Sequence, residues 1–132
     1  MRWTINPNSI LSRTARAALA AALPGVLIAA FLPVGVAPVI AGSDWASHGV
    51  AFAVLAVLTA AGFPRAPLFL SWAALSMIGA GIEVVQAIPA LGRGASLIEA
   101  GYDALVVAVV FAILWILGFR SRVAEESLEK GF

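Results

Sequence analysis

Residues 67–88 read PLFLSWAALSMIGAGIEVVQAI, and this stretch decides the fold class. Glu83 is the only ionisable side chain within it. A helix that crosses a bilayer needs about 20 mostly apolar residues. The stretch therefore predicts a membrane-spanning helix that carries one carboxyl group near its C-terminal end.

Three more apolar runs lie outside this stretch, at about residues 15–34, 45–63 and 102–119, with Pro and Gly between the runs to end the helices. The chain of 132 residues is 62% hydrophobic and only 11% charged. Soluble domains are about 45–50% apolar and about 25% charged. We therefore predict an all-α polytopic membrane protein with four transmembrane helices in an antiparallel bundle. Residues 1–132 form one domain, and residues 120–132 are a short cytoplasmic tail.

Several function classes are disfavoured by composition. The chain has no cysteine, and so it has no disulfide framework and no thiol nucleophile. Its formal net charge is +1, without the basic patch that a nucleic-acid partner requires. No Gly-rich phosphate loop follows a strand. The sequence predicts no nucleic-acid partner, no cofactor and no resident metal.

The basic residues predict the orientation of the bundle. With four spans, seven of the eight Lys and Arg residues fall on one side: Arg2, Arg13, Arg16, Arg65, Arg120, Arg122 and Lys130. Only Arg93 falls on the other side. Because basic residues are enriched on the cytoplasmic side of membrane proteins, both termini are expected in the cytoplasm.

A cleaved signal peptide is the alternative interpretation of the first run. Basic residues precede the run, and Val39-Ile40-Ala41 resembles a small-residue cleavage site. That site lies well past the apolar run, and so we favour a retained membrane span.

Eight polar residues lie at or near the run ends that this topology places on the outer side. They are Asp44, His48, Glu83, Gln86, Arg93, Ser96, Glu99 and Asp103. Ionisable groups in or beside hydrocarbon are costly, and their clustering is therefore a hypothesis of a functional site. We expect these residues to converge on one shallow outward-facing pocket, although a cluster that only locks the helices together would show the same pattern.

Three pairs among these residues have helical spacing, so each pair shares one helix face. The pairs are Asp44 with His48, Glu83 with Gln86, and Glu99 with Asp103. The acidic residues of the first and last pairs are expected at helix N-termini, where the helix dipole favours anions. Glu83 is near a helix C-terminus, where the dipole disfavours it. We therefore expect Glu83 to pair with Arg93 or His48.

The order of these residues follows a wider pattern. An acidic residue lies four positions before a histidine, and an aromatic residue lies four positions after that histidine. Then come Glu-x-x-Gln, a Pro, a Gly-Arg pair, an acid six after the Arg, and a polar residue four further on. The matching residues are Asp44, His48, Phe52, Glu83, Gln86, Pro89, Gly92, Arg93, Glu99 and Asp103. On these residues the chain resembles the VanZ-like family of small membrane proteins over about residues 44–110.

The chain departs from the family pattern at four positions. Trp45 stands where Lys is usual, Glu99 where Asp is usual, Asp103 where Asn is usual, and Val106 where Gly is usual. The resemblance implies a multi-pass protein of the bacterial inner membrane with a role in the cell envelope. Some members of the family are tied to low-level glycopeptide resistance, and no biochemical activity is settled for it.

Three functions are compatible with the sequence, and membrane lipids are expected partners in each. We favour a binding or accessory protein whose pocket takes an envelope lipid or glycan headgroup, with Arg93 on a phosphate or carboxylate. The first alternative is a structural subunit of a larger membrane complex. The second is an intramembrane hydrolase or metal-dependent enzyme that uses His48 with Glu83, Glu99 and Asp103. The sequence assigns no catalytic residue.

Overall fold

The computed structural model describes residues 6–32, 44–89 and 96–118. Within these ranges the chain forms four α-helices and no strand. Helix α1 spans Ile10–Phe31, α2 spans Asp44–Gly62, α3 spans Leu68–Gln86 and α4 spans Leu97–Ile116. All four are long and apolar enough to cross a membrane. The prediction of an all-α chain with four helices of spanning length is confirmed.

Two helices begin earlier than the apolar runs that predicted them. Helix α1 begins at Ile10 and α4 at Leu97, whereas the runs start at about residues 15 and 102. Serine caps explain the difference: Ser9 accepts a hydrogen bond from the backbone N–H of Ser12, and Ser96 accepts one from that of Glu99. Because a cap sets the first turn, each helix includes polar residues that precede its apolar run.

The connection between α2 and α3 is the tight turn that the prolines predict. Helix α2 ends at Gly62 and α3 begins at Leu68. Within the turn, the backbone N–H of Ala66 donates to the carbonyl of Phe63 over 3.1 Å. Pro67 then stands immediately before α3, where its missing N–H costs no helical hydrogen bond.

Contacts at one end of the bundle fix the relative direction of α1 and α2. The Ser12 hydroxyl, near the start of α1, donates to the carbonyl of Gly62 at the end of α2 over 3.1 Å. The Arg16 guanidinium donates to the same carbonyl over 2.9 Å. Helices α1 and α2 are therefore antiparallel, and the basic residues of α1 lie at the end of the bundle that also carries the turn with Arg65.

Contacts at the other end fix the remaining directions. The Gln86 amide, at the end of α3, donates to the carbonyl of Ala30 at the end of α1 over 2.9 Å. His48, near the start of α2, contacts Asp103, near the start of α4. The four helices therefore alternate in direction, as predicted, and α1 begins at the end of the bundle where α4 finishes.

Helices α2 and α3 each contact the other three helices, and α2 makes the more extensive contacts of the two. The buried residues Phe52 and Leu55 of α2 meet Ile82 of α3 and Val107 of α4 in one apolar core. Large apolar side chains are also exposed on all four helices, as a hydrocarbon environment allows. Gln86 and Asp103 are among the largest fully buried side chains, so the core also includes polar groups.

Candidate functional site: a buried polar cluster

Helices α2 and α4 bring an imidazole against a carboxylate. His48 lies in the second turn of α2, and its side chain is 10% exposed. Its Nδ1 atom is 3.2 Å from Oδ2 of Asp103, which lies in the second turn of α4 and is fully buried. The helix dipole acts mainly on the first turn. It therefore does not account for a carboxylate at the depth of Asp103, and the expectation that this residue sits at the helix N-terminus is wrong.

Helix α3 brings a second carboxylate to the same place. Glu83 lies in the last turn of α3 and is 3% exposed. Its Oε2 atom accepts a hydrogen bond from the backbone N–H of Ser96 over 2.8 Å. Because Ser96 is also the N-cap of α4, this bond ties the end of α3 to the start of the next helix.

The three side chains form one group, which we call the triad: His48, Glu83 and Asp103. Each offers one nitrogen or oxygen that can bind a metal, and these three atoms all lie within 4.8 Å of one another. The residues are 35 and 20 positions apart along the chain and come from three different helices. The triad therefore exists only in the folded bundle.

Each carboxylate of the triad has one oxygen without a hydrogen-bond partner. These atoms are Oε1 of Glu83 and Oδ1 of Asp103, and both are buried. Buried carboxylate oxygens are normally paired, since an unpaired one forfeits its hydration without compensation. The described part of the chain thus leaves two acceptors at one place that need a donor or a cation.

Glycine makes the approach of these helices possible. A Cβ atom at Gly79 of α3 would lie 3.3 Å from Cζ of Phe52 and 3.4 Å from Cβ of Asp103. Gly79 belongs to a stripe of residues spaced four apart on α3, Ser71, Leu75, Gly79 and Glu83, all of which are buried. The stripe is the face of α3 that packs, and it carries Glu83 into the triad.

An aromatic pair lies beside the triad. The rings of Trp45 and Tyr102 are 5.3 Å apart between centroids and tilted by 56°. Gly49 leaves room for this pair, because a Cβ there would lie 2.6 Å from the Tyr102 hydroxyl oxygen. Tyr102 directly precedes Asp103, so the pair helps to set how α4 lies against α2.

An apolar cavity of about 400 Å³ adjoins the cluster. It lies between α1 and α2 with a contribution from α3. Its lining residues are Ala22, Gly25, Val26, Ala29, Ala30, Ser47, His48, Val50, Ala51, Phe52, Val54, Leu55 and Ile82. Only Ser47 and His48 among them are polar, and they lie where α2 begins. The cavity therefore runs from the middle of the bundle to the end that carries the triad.

The structure divides the eight predicted site residues into groups. His48, Glu83 and Asp103 come together, and Ser96 contacts Glu83. Gln86 points to α1 instead, and Glu99 lies in the first turn of α4 outside the triad. Asp44 begins α2. Arg93 and the suggested cleavage site 39–41 lie outside the described residues. The expected pairing of Glu83 with Arg93 stays a prediction.

Two components of the site carry no clear signal in the sequence. Gly49 and Gly79 are glycines in apolar helices, where glycine is common. The cavity arises from small residues of α1 such as Gly25 and Ala29, which look like any helix-packing stripe. These two glycines differ from others because a Cβ atom at Gly49 would meet Tyr102 and one at Gly79 would meet Asp103. Both close approaches depend on the fold.

Comparisons of the chain with protein families, with curated proteins and with solved structures find no match. The resemblance to the VanZ-like family therefore depends on the residues quoted above.

Proposed function

We propose that this chain is a divergent VanZ-like protein of the bacterial inner membrane that binds an envelope lipid. The acyl chain lies in the cavity between α1 and α2, and the headgroup lies at Ser47 and His48. The observation that carries the proposal is the cavity itself, which is apolar along its length and polar only where α2 begins. Its volume of about 400 Å³ is within the range of about 300–1,000 Å³ that is usual for ligand pockets.

The shape of the cavity favours a lipid over a free glycan. A glycan needs many hydrogen-bond partners, whereas eleven of the thirteen lining residues are apolar. An acyl chain needs none, and its headgroup would meet the two polar residues at one end. Trp45 and Tyr102 lie at the same end, as aromatic residues do at a membrane interface.

The proposed orientation places this end on the outer face of the membrane. Arg13, Arg16 and Arg65 lie at the opposite end of the bundle, where α1 begins and α2 ends. That separation agrees with the enrichment of basic residues on the cytoplasmic side. Cysteines placed at position 65 and at position 94 test the orientation with a membrane-impermeant label on intact cells. The position-94 cysteine is expected to react. Labelling of position 65 alone would contradict the orientation.

Gly25 offers a direct test of lipid binding. Gly25 lines the cavity, and a Cβ atom there would meet nothing within 4 Å. The substitution Gly25→Leu would therefore fill the cavity without displacing a neighbour at Cβ. Gly81 is a matched control, because it is equally open and does not line the cavity.

The readout is the number of lipids that each purified variant retains in native mass spectrometry from a mild detergent. The unsubstituted chain and Gly81→Leu are expected to retain one phospholipid, and Gly25→Leu is expected to retain none. Equal retention by both variants would refute the proposal. A protein that copurifies in fixed stoichiometry, without lipid, would favour the structural-subunit alternative.

A further inference from the structure

Two buried oxygen atoms of the triad lack a hydrogen-bond partner, and a lipid headgroup in the cavity does not supply one. Oε1 of Glu83 and Oδ1 of Asp103 are buried and have no hydrogen-bond partner, and their side chains are 3% and 0% exposed. A headgroup in the cavity would reach His48, which lines it, but not carboxylates enclosed by α3 and α4. The missing partner is therefore small enough to fit among three side chains.

No basic side chain of the described ranges is available to fill this role. Arg13 and Arg16 are in the first turns of α1, and Arg65 is in the turn between α2 and α3, all at the opposite end of the bundle. The Arg16 guanidinium is already hydrogen-bonded to Pro7, Ser12 and Gly62. A divalent cation is a small partner that could neutralise both carboxylates at once.

The distances within the triad suit a metal ion. One ligand atom from each residue lies within 4.8 Å of the others, and His48 Nδ1 is 3.2 Å from Asp103 Oδ2. Ligands that bind one ion at about 2.0–2.2 Å are separated by roughly 3.0–3.6 Å along the edges of its coordination shell. His48 and Asp103 are thus already spaced as two ligands of one ion, and Glu83 offers a third ligand atom within 4.8 Å of both.

We propose that His48, Glu83 and Asp103 bind one divalent transition-metal ion. Two carboxylates and a neutral imidazole carry two negative charges, which the ion balances. One nitrogen and two oxygens suit ions such as Mn²⁺, Fe²⁺ and Zn²⁺ better than Ca²⁺ or Mg²⁺, which take oxygen ligands. Water completes the coordination. The site does not depend on lipid binding, because the cavity contributes only His48 to it.

Manganese is the probe that tests this site. The full chain is purified in a mild detergent, stripped with a chelator and titrated with Mn²⁺, and the free ion is followed by electron paramagnetic resonance. Binding is expected to saturate at one Mn²⁺ per chain, and Zn²⁺ is expected to displace it. Because the ion binds the folded chain, Mn²⁺ should also raise the melting temperature. If the chain binds neither Mn²⁺ nor Zn²⁺, the proposal is wrong.

Variants locate the bound ion. Glu83→Gln and Asp103→Asn each remove one charged ligand with little change in volume, and each is expected to weaken Mn²⁺ binding at least ~10-fold. Glu99→Gln is the matched control, since Glu99 is an acid on the same helix as Asp103 but outside the triad. Its affinity should equal that of the unsubstituted chain. Undiminished binding by both triad variants would place the ion elsewhere and overturn the assignment.

The rise in melting temperature on addition of Mn²⁺ still tests the proposal if a triad variant folds poorly. The shift is measured on the unsubstituted chain, and circular dichroism reports whether each variant keeps its helices. The Gly25→Leu variant separates the two proposals, because it should lose the lipid and still bind Mn²⁺. If the unsubstituted chain retains no lipid but binds Mn²⁺, only the lipid proposal is wrong.

Discussion

Two glycines of α3 provide a matched test of how closely the helices pack at the cluster. A Cβ atom at Gly79 would lie 3.3 Å from Phe52 and 3.4 Å from Asp103, whereas one at Gly81 would meet no atom within 4 Å. Both Gly→Ala substitutions gain about 1 kcal/mol of helix propensity. The difference between the two variants therefore isolates the packing at Gly79.

The size of that difference follows from the burial of the neighbours. Phe52 is 1% exposed and Asp103 is 0% exposed, so a methyl group at Gly79 would press on two side chains that are already buried. Inserting one methyl group into such a core costs about 1–3 kcal/mol. We expect Gly81→Ala to raise the free energy of unfolding by up to about 1 kcal/mol. Gly79→Ala should be less stable than Gly81→Ala by about 1–3 kcal/mol.

The assay is unfolding of each variant in mixed micelles of mild and denaturing detergent, with helix content followed by circular dichroism. Gly79→Ala should also bind Mn²⁺ more weakly, because its Cβ would lie 3.5 Å from Oδ2 of Asp103. Gly81→Ala should bind Mn²⁺ as the unsubstituted chain does. If the two variants unfold within about 0.5 kcal/mol of each other, the close contact of α3 with α2 and α4 is refuted.

Three further substitutions test separate contacts. Gly49→Ala should lower the free energy of unfolding, because its Cβ would lie 2.6 Å from the Tyr102 hydroxyl, and the ring must move; altered tryptophan fluorescence would report that movement. Gln86→Leu should cost about 0.5–1.5 kcal/mol in the same unfolding assay, since the carbonyl of Ala30 loses its donor. Glu83→Gln should preserve or raise the free energy of unfolding, because the amide oxygen still accepts a hydrogen bond and a buried charge is removed. A fall in the stability of the metal-free variant would mean that the carboxylate also holds the helices together.

The sequence predicts the helices well because each is a long apolar run, with Pro and Gly residues between the runs to end the helices. It predicts their ends less well, since the first turn that a serine cap adds contains polar residues, such as Arg13 and Glu99, that interrupt the apolar run. The Ser96 cap starts α4 at Leu97, about five residues before the apolar run, and this places Asp103 in the second turn instead of at the N-terminus. Where a single capping side chain sets the end of a helix, the capping residue therefore locates that end better than the limits of the apolar run do.

The sequence also identifies eight candidate site residues that include the triad. It does not show which three of the eight come together. Helical spacing puts Glu99 and Asp103 on one face of α4, and nothing in the spacing distinguishes them. The packing of α4 against α2 and α3 buries Asp103 and leaves Glu99 partly exposed. Which helices are neighbours is a property of the whole bundle, and it is not encoded in the spacing within any one helix.

The most direct test of the account is an experimental density map of the chain in lipid nanodiscs loaded with Mn²⁺. We expect density for one acyl chain between α1 and α2, ending at His48. We also expect a separate peak among His48, Glu83 and Asp103. A cavity closed by repacked side chains, together with direct hydrogen bonds among the three side chains and no peak between them, would contradict both proposals.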